Sequence, residues 1–207
     1  MTQSNSESYS VTIRGDLKEP ISRWLFLIKW LLVLPHILVL VLLGIGAVIS
    51  VIISFFAILF TGKYPRGLFN YNVGVMRWSW RVGFYGCQAL GTDKYPPFSL
   101  DKDDTYPADL DVSYPEKLAN LMVLVKWILA IPHFLILAIL QGGSGYGLRY
   151  GGLQSILVLF AAIVNLFTGK YPKGLFDLTM GINHWAYRVS GYALLMTDKY
   201  PPFRLGP

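Results

Sequence analysis

Charged residues are scarce in this chain of 207 residues. Asp, Glu, Lys and Arg together make up only 14% of it, whereas about 25% is usual for a soluble domain. Hydrophobic residues reach 54%, and the mean hydropathy is +0.46. A composition so poor in charge and so rich in apolar side chains predicts an integral membrane protein rather than a soluble one.

Cysteine and recognisable catalytic motifs are also lacking. Cys87 is the single cysteine, which excludes an internal disulfide framework. The sequence GKYP has neither the upstream glycine nor the following Ser or Thr of a nucleotide-binding P-loop. No Ser-His-Asp, Cys-His, HExxH or paired-carboxylate pattern stands out. We therefore expect no enzyme activity, no cofactor and no bound metal.

Long apolar runs are present instead, and they predict helices in a membrane. The run from Trp24 to Phe60 far exceeds the roughly 20 residues that one crossing needs. We predict a transmembrane hairpin over 22–61, with helices at 22–43 and 46–61. A second hairpin is predicted over 118–168, with helices at 118–140 and 153–168 around a Gly-rich loop.

The sequence contains an internal repeat. FTGKYPRGLF at 60–69 returns as FTGKYPKGLF at 167–176, and TDKYPPF at 92–98 returns at 197–203. Such repeats usually mark two structural halves. The predicted organisation is a polar N-terminal segment carrying a strand (1–20), a first repeat (21–99), an acidic connector (100–116) and a second repeat (117–204).

Each repeat is predicted to end in an amphipathic helix, at 68–90 and at 175–195. Arg77 and Arg81 fall on one stripe of the first of these helices, and Arg188 lies on the matching stripe of the second. We predict that both helices lie in the membrane interface. The alternative is that they cross the membrane, which inverts the two halves and brings the first two arginines near its centre.

Charge counting favours the interfacial arrangement. With two hairpins, every Lys and Arg except Arg149 lies on one side of the membrane. The positive-inside rule makes that side cytoplasmic, together with both termini of a multi-pass protein in the cell membrane. Alternating residues at Tyr9–Ile13 and Asp109–Val112, and a third candidate at Phe98–Leu100, predict a small cytoplasmic β-cap. The fold class is thus an all-α membrane protein of two tandem repeats with this cap.

Basic residues supply the candidate lipid- or anion-binding sites. The net charge of +6 fits an anionic membrane surface, and nothing in the pattern indicates nucleic acid. At the GKYP turns we expect basic side chains to meet phosphates beside interfacial tyrosines. For the arginine stripe, the alternative is an ion pair with Asp177 or with the connector acids. The candidates are Lys63, Arg66, Arg77, Arg81, Lys170, Lys173 and Arg188.

A second candidate is a polar site within the apolar runs. Lys29 and His36 are seven residues apart and share a helix face, as do Lys126 and His133. Ionisable groups inside a membrane are functional-site candidates by default. The alternatives are a structural bond from each histidine to a carbonyl freed by the adjacent proline, and metal binding, for which two histidines are too few.

The tandem TGKYPRGLF motif, the Arg-containing aromatic helix and the TDKYPPF ending resemble a bacterial, mostly actinobacterial, integral-membrane family of unknown function. The resemblance implies a membrane location and a duplicated unit, and it implies no activity. Two functions remain open. One is a non-catalytic scaffold or accessory protein that engages anionic lipids, membrane partners or further copies of itself. The other is a small transporter or an ion or proton channel.

Overall fold

The computed structural model describes residues 9–142 and 151–206. It is mostly helical, with five helices and one two-stranded sheet in the part of the chain described. In chain order the elements are β1 (Val11–Gly15), α1 (Phe26–Thr61), α2 (Arg66–Tyr85), β2 (Ala108–Val112), α3 (Met122–Gln141), α4 (Leu153–Thr168) and α5 (Lys173–Ala193).

Helix α1 is a single helix of 36 residues, so the predicted hairpin over 22–61 is wrong. Gly44 and Gly46, which lie where the predicted helices 22–43 and 46–61 would meet, are inside this helix. Gly46 instead leaves space for Tyr71, since a Cβ at Gly46 would collide with the Tyr71 hydroxyl. That hydroxyl donates to the carbonyl of Leu43 at 2.8 Å. The glycine therefore serves close packing of α1 on α2, and α1 is about 54 Å long.

Helices α3 and α4 are separate, but they do not form the predicted hairpin over 118–168. Trp127 Nε1 donates to Ala193 O, and Gln141 Nε2 donates to Asn183 Oδ1, so α3 runs antiparallel to α5. Helix α4 also runs antiparallel to α5, because a short turn joins the end of α4 to the start of α5, and Gln141 bonds both Gln154 at the start of α4 and Asn183 in the middle of α5. Gln141 Nε2 donates to Gln154 Oε1 at 2.8 Å across the break. Helices α3 and α4 therefore follow one another in the same direction.

Two rods result from this arrangement, the first being α1 and the second being α3 followed by α4. They lie antiparallel. At one end, Leu118 N donates to Gly62 O, and Asn120 Nδ2 donates to Leu59 O. At the other end, Asn165 Nδ2 donates to Ser22 O. Each rod thus begins beside the place where the other rod ends.

Helices α2 and α5 form the middle of the molecule, with bounds close to those predicted at 68–90 and 175–195. The turn before each is set by a glycine in the left-handed conformation, Gly62 (φ +67°) or Gly169 (φ +71°), which ends the preceding rod. Pro65 and Pro172 then precede α2 and α5. Most residues of both helices are buried. They are therefore enclosed by protein rather than exposed to an interface as predicted.

The predicted β-cap is present as a two-stranded antiparallel sheet. Ile13 pairs with Leu110 at its centre, and both side chains face inward. Strand β2 packs on α2 and β1 packs on α5, and Trp80 Nε1 donates to Arg14 O at 2.8 Å. The third candidate strand, Phe98–Leu100, is irregular and belongs to no sheet.

Candidate functional site

The outer sides of both rods are lined by exposed apolar side chains, and this surface is hereafter called the apolar face. Large hydrophobic side chains are exposed along α1, α3 and α4 from end to end. A soluble monomer rarely exposes more than a few hundred square ångströms of contiguous apolar surface. The most exposed members are Leu38, Leu42, Phe60, Leu121, Ile128, Leu135, Ile139, Ile156 and Phe167.

Two of these helices, α1 and α3, are long and apolar enough to cross a membrane. Helix α4 is also apolar but shorter, at 16 residues. Length and composition therefore support a membrane location for this protein.

Basic side chains are grouped at the two ends of the rods. Lys63 and Arg66 are exposed at the turn that ends α1, and Lys117 is exposed next to Leu118, which bonds to that turn. We call these three residues the first basic cluster. Arg66 approaches Glu116 at 3.7 Å, but both side chains are well exposed, so the pair contributes little stability.

The second basic cluster lies at the opposite end and consists of Arg23, Lys170 and Lys173. The guanidinium of Arg23 packs against Gly169 at the turn that ends α4. Lys173 pairs with the exposed Asp177 at 3.3 Å. Phe60 lies just before the turn of the first cluster and Phe167 just before that of the second, and each is nearly four-fifths exposed. Each cluster thus joins cations to an outward-pointing aromatic ring.

The predicted polar site at Lys29 is a buried anchor for the TDKYPPF segment. Lys29 Nζ donates to Thr92 O at 2.7 Å and pairs with Asp93 at 2.9 Å. It also lies over the Tyr85 ring, 4.8 Å from the centroid. In the second half, Lys126 makes the corresponding contacts with Thr197 O (2.8 Å), Asp198 (2.7 Å) and the Tyr192 ring. Both ammonium groups are therefore held and neutralised within the protein.

His36 is fully buried between aromatic rings. Its Nδ1 accepts a hydrogen bond from Trp78 Nε1 at 3.0 Å, and its ring stacks on Phe98 at 3.9 Å between centroids. The hydroxyl of the neighbouring Tyr95 donates to Leu32 O. Because Nδ1 accepts, the neutral ring carries its proton on Nε2, which has no partner among the described residues. The alternative considered from the sequence, a bond from the histidine to a carbonyl freed by the adjacent proline, is not formed among the described residues.

His133 lies in the same setting in the second half. Trp185 Nε1 donates to its Nδ1 at 3.0 Å, and Phe203 stacks on its ring at 4.0 Å. Tyr200 lies beside the ring and donates to Leu129 O. The neighbours that surround His133 come from residues 129–203, whereas those around His36 come from residues 32–98. The two imidazoles are thus enclosed separately.

Sequence reasoning named the lysines and histidines but missed their partners. The role of TDKYPPF is to place an aspartate on the lysine and a phenylalanine on the histidine, and the tryptophan of the middle helix completes the set. One signal was available in the sequence. Both halves contain the Lys-His pair, the tryptophan of the middle helix (Trp78 or Trp185) and the TDKYPPF motif. Joint duplication is expected for residues that pack against one another.

The predicted arginine stripe is an internal ion network rather than an exposed anion site. Asp109 Oδ1 forms an ion pair with Arg77, whose Nε lies 3.2 Å away, and accepts a hydrogen bond from Arg81 Nη2 at 3.3 Å. Burial lowers the pKa of Arg81, and the charge of Asp109 opposes that shift. The connector acid is therefore the counter-ion of both arginines.

Arg188, the matching residue of the second half, has a different partner. It is buried and donates to the carbonyl of Arg204. Burial is also the main cause of the lowered pKa of Arg188. Asp177 is exposed and pairs with Lys173, so it does not serve Arg188.

The described residues offer no group of three His, Cys, Asp or Glu side chains suited to a metal ion. Their geometry defines a class, a mainly helical protein with an exposed apolar face, two basic ends and a polar two-stranded cap.

More particularly, the chain belongs to the family described as a domain of unknown function, DUF4389, whose model matches residues 23–99 and 149–204. Comparison of this chain with the curated proteins and with the solved structures found no match.

Proposed function

We propose that this protein is a non-catalytic scaffold of the cell membrane that binds anionic lipids. The observation that carries the proposal is the position of the two basic clusters at the ends of the apolar face. A surface with hydrocarbon-compatible side chains in the middle and cations at its edges matches a membrane with anionic headgroups. The bound lipids, further copies of the chain and other membrane proteins are the proposed partners.

The basic clusters also suggest the side of the membrane on which the polar parts lie. Juxtamembrane Lys and Arg are concentrated on the cytoplasmic side of membrane proteins. We therefore place both termini and the two-stranded cap in the cytoplasm. The exposed acids of the connector, such as Asp101 and Asp104, then face water rather than anionic lipid.

A transport function has less support from the geometry. Its candidate pathway used the faces that carry His36 and His133, and both rings are fully buried against aromatic side chains of their own half of the chain. Lys29 and Lys126 are paired with aspartates. Residues with these contacts hold helices together, and we assign them that structural role.

Lipid selectivity in reconstituted vesicles tests the proposal. Energy transfer from the tryptophans to headgroup-labelled phosphatidylglycerol, compared with labelled phosphatidylcholine, reports enrichment of the anionic lipid around the protein. We expect enrichment that falls with added salt. The Lys63→Glu/Lys170→Glu variant has one change in each cluster. Its enrichment of the anionic lipid should fall about fivefold or more per lysine, because each cation near the surface contributes roughly 1 kcal/mol.

The matched control is Lys18→Glu/Lys102→Glu, which changes the net charge equally but alters exposed lysines of the N-terminal segment and the connector. It should keep the enrichment. Equal enrichment of both lipids in the parent protein, or equal loss in both variants, would contradict a role for the basic clusters.

A further inference from the structure

Residues at corresponding positions in the two halves touch one another at two places. Ile13 and Leu110, which pair in the sheet, each lie sixteen residues before the lysine of their own half, Lys29 or Lys126. The rings of Trp80 and Tyr187 lie 5.4 Å apart, and each residue is eighteen positions after the glycine that opens its own GKYP motif.

Corresponding residues that meet must lie on either side of the axis that relates the two halves. In a two-stranded antiparallel sheet such an axis is perpendicular to the sheet, because paired residues point to the same face. The local twofold axis therefore passes between Ile13 and Leu110 and continues between α2 and α5 at Trp80 and Tyr187.

The direction of the rods follows from this axis. A twofold rotation leaves the component of a helix along the axis unchanged and reverses the components perpendicular to it. The two rods correspond to one another and run antiparallel, with each starting beside the end of the other. Both rods are therefore close to perpendicular to the axis, and the sheet lies on the axis level with their midpoints.

If the rods crossed a bilayer, the axis would lie in the membrane plane and the sheet would sit at mid-depth. The exposed side chains of Arg14, Asp16 and Asp111 would then be in or beside hydrocarbon, which is costly for charged groups. The first rod would also exceed the hydrocarbon thickness of about 30 Å, since it is about 54 Å long. A crossing orientation fits neither the sheet nor the length.

If the rods lie parallel to the membrane, both difficulties disappear. The axis then coincides with the membrane normal, and the two basic clusters come to equal depth at opposite ends of the rods. The sheet and the rods contact different sides of α2, through Arg77, Trp80 and Arg81 for the sheet and through Trp78 and Tyr85 for α1. The polar cap can thus remain in water while the apolar face is in lipid.

We propose that this protein inserts into a single leaflet of an anionic phospholipid membrane, with both rods parallel to the surface and neither rod crossing it. This inference rests on the proposed membrane function and gives it a geometry. It replaces the multi-pass topology that the sequence predicted, because no described helix then connects the two sides of the bilayer.

Cysteine labelling in sealed native membrane vesicles of known orientation tests the arrangement. In a Cys87→Ser background, single changes Ser22→Cys and Lys63→Cys mark the two ends of α1, and Ile45→Cys marks its exposed middle. Asp111→Cys marks the sheet. Each site is first shown to react with maleimide in detergent, and then a membrane-impermeant maleimide is applied from one side at a time.

We expect Ser22→Cys, Lys63→Cys and Asp111→Cys to react from the same side, and Ile45→Cys from neither. Reaction of the two α1 ends from opposite sides would show that the helix crosses the membrane and would overturn the proposal. So would reaction of Ile45→Cys from the side opposite to the ends, which would indicate a hairpin. A separate wash with alkaline carbonate tests whether lipid covers the apolar face. Release of the protein by this wash would show that another protein covers that face, and it would overturn the proposal.

The labelling pattern and the lipid selectivity are independent measurements. Same-side labelling without anionic-lipid enrichment would leave the in-plane geometry intact and contradict only the proposed lipid preference. Opposite-side labelling with anionic-lipid enrichment would contradict the in-plane geometry and leave the proposed lipid preference intact.

Discussion

Ile13 pairs with Leu110 at the centre of the sheet, and the two residues hold corresponding positions in the two halves of the chain. The same reciprocity appears deeper in the molecule. The hydroxyl of Tyr64 donates to Leu194 O at 3.3 Å, and the hydroxyl of Tyr171 donates to Ala89 O at 2.8 Å. The tyrosine of each GKYP motif therefore reaches the segment that precedes TDKYPPF in the other half, which joins the halves into one packed unit.

The bond between Trp78 and His36 should be visible in a double-mutant cycle. His36→Phe keeps an aromatic ring to stack on Phe98 but removes the acceptor of a buried indole N–H, so we expect a loss of about 1–3 kcal/mol in the free energy of unfolding. In Trp78→Phe that donor is absent, so adding His36→Phe should cost less. Chemical denaturation in detergent measures all four proteins.

A structural role for the two histidines also predicts that they carry no proton or ion flux. His36→Phe/His133→Phe should lower thermal stability, while proteoliposomes of the parent protein should show no proton or ion flux for the change to remove. A flux in the parent that disappears in the double variant at unchanged stability would contradict this assignment.

The ion network around Asp109 should be essential for folding. Asp109→Asn leaves Arg81, whose side chain is fully buried, without a counter-ion, and breaking a buried pair in this way costs about 3–5 kcal/mol. Asp111→Asn is the matched control, because Asp111 is mostly exposed and also approaches Arg77. The control should stay within about 1 kcal/mol of the parent. Equal effects of the two changes on thermal unfolding would be inconsistent with this network.

The glycine that ends α1 should tolerate no side chain. Gly62 has φ +67°, and a Cβ there would lie 3.0 Å from Asn120 Oδ1 and 3.1 Å from Leu118 O. Gly62→Ala should therefore destabilise the protein by more than the roughly 1 kcal/mol that the left-handed conformation alone costs.

Gly67→Ala provides the comparison for this turn. It lies in the first turn of α2, nothing is within 4 Å of its Cβ position, and alanine favours helix. Gly67→Ala should be neutral or slightly stabilising in the same unfolding assay. A stability loss equal to that of Gly62→Ala would argue against the turn geometry.

The sequence predicted the local features of this fold well and its long-range features poorly. The glycine and proline of GKYP correctly indicated a helix end and a helix start, and strand-like alternation before each half correctly indicated two strands. The hairpin in 22–61 was wrong because Gly44 and Gly46 are locally compatible with either a turn or a helix. The decision depends on Tyr71, a distant residue that packs against Gly46.

The candidate site was also only partly accessible from the sequence. A polar stripe on a helix indicates that its residues need polar surroundings, but it does not distinguish water or headgroups from a carboxylate. For Arg77 and Arg81 those surroundings are supplied by Asp109, which is 28 residues or more away in the chain and reaches them only because β2 packs on α2. The exposed lysines of the GKYP turns, by contrast, lie beside the apolar face, and their contact with lipid headgroups stays a prediction.

The orientation of the helices in lipid tests the in-plane geometry most directly. Polarised infrared spectroscopy of the protein in aligned anionic bilayers measures the mean angle between the helix axes and the membrane normal from the amide I dichroism. The rods and α2 and α5 run parallel or antiparallel to one another, so their contributions add rather than cancel. We predict a mean axis close to the membrane plane. A mean axis close to the membrane normal would contradict the account.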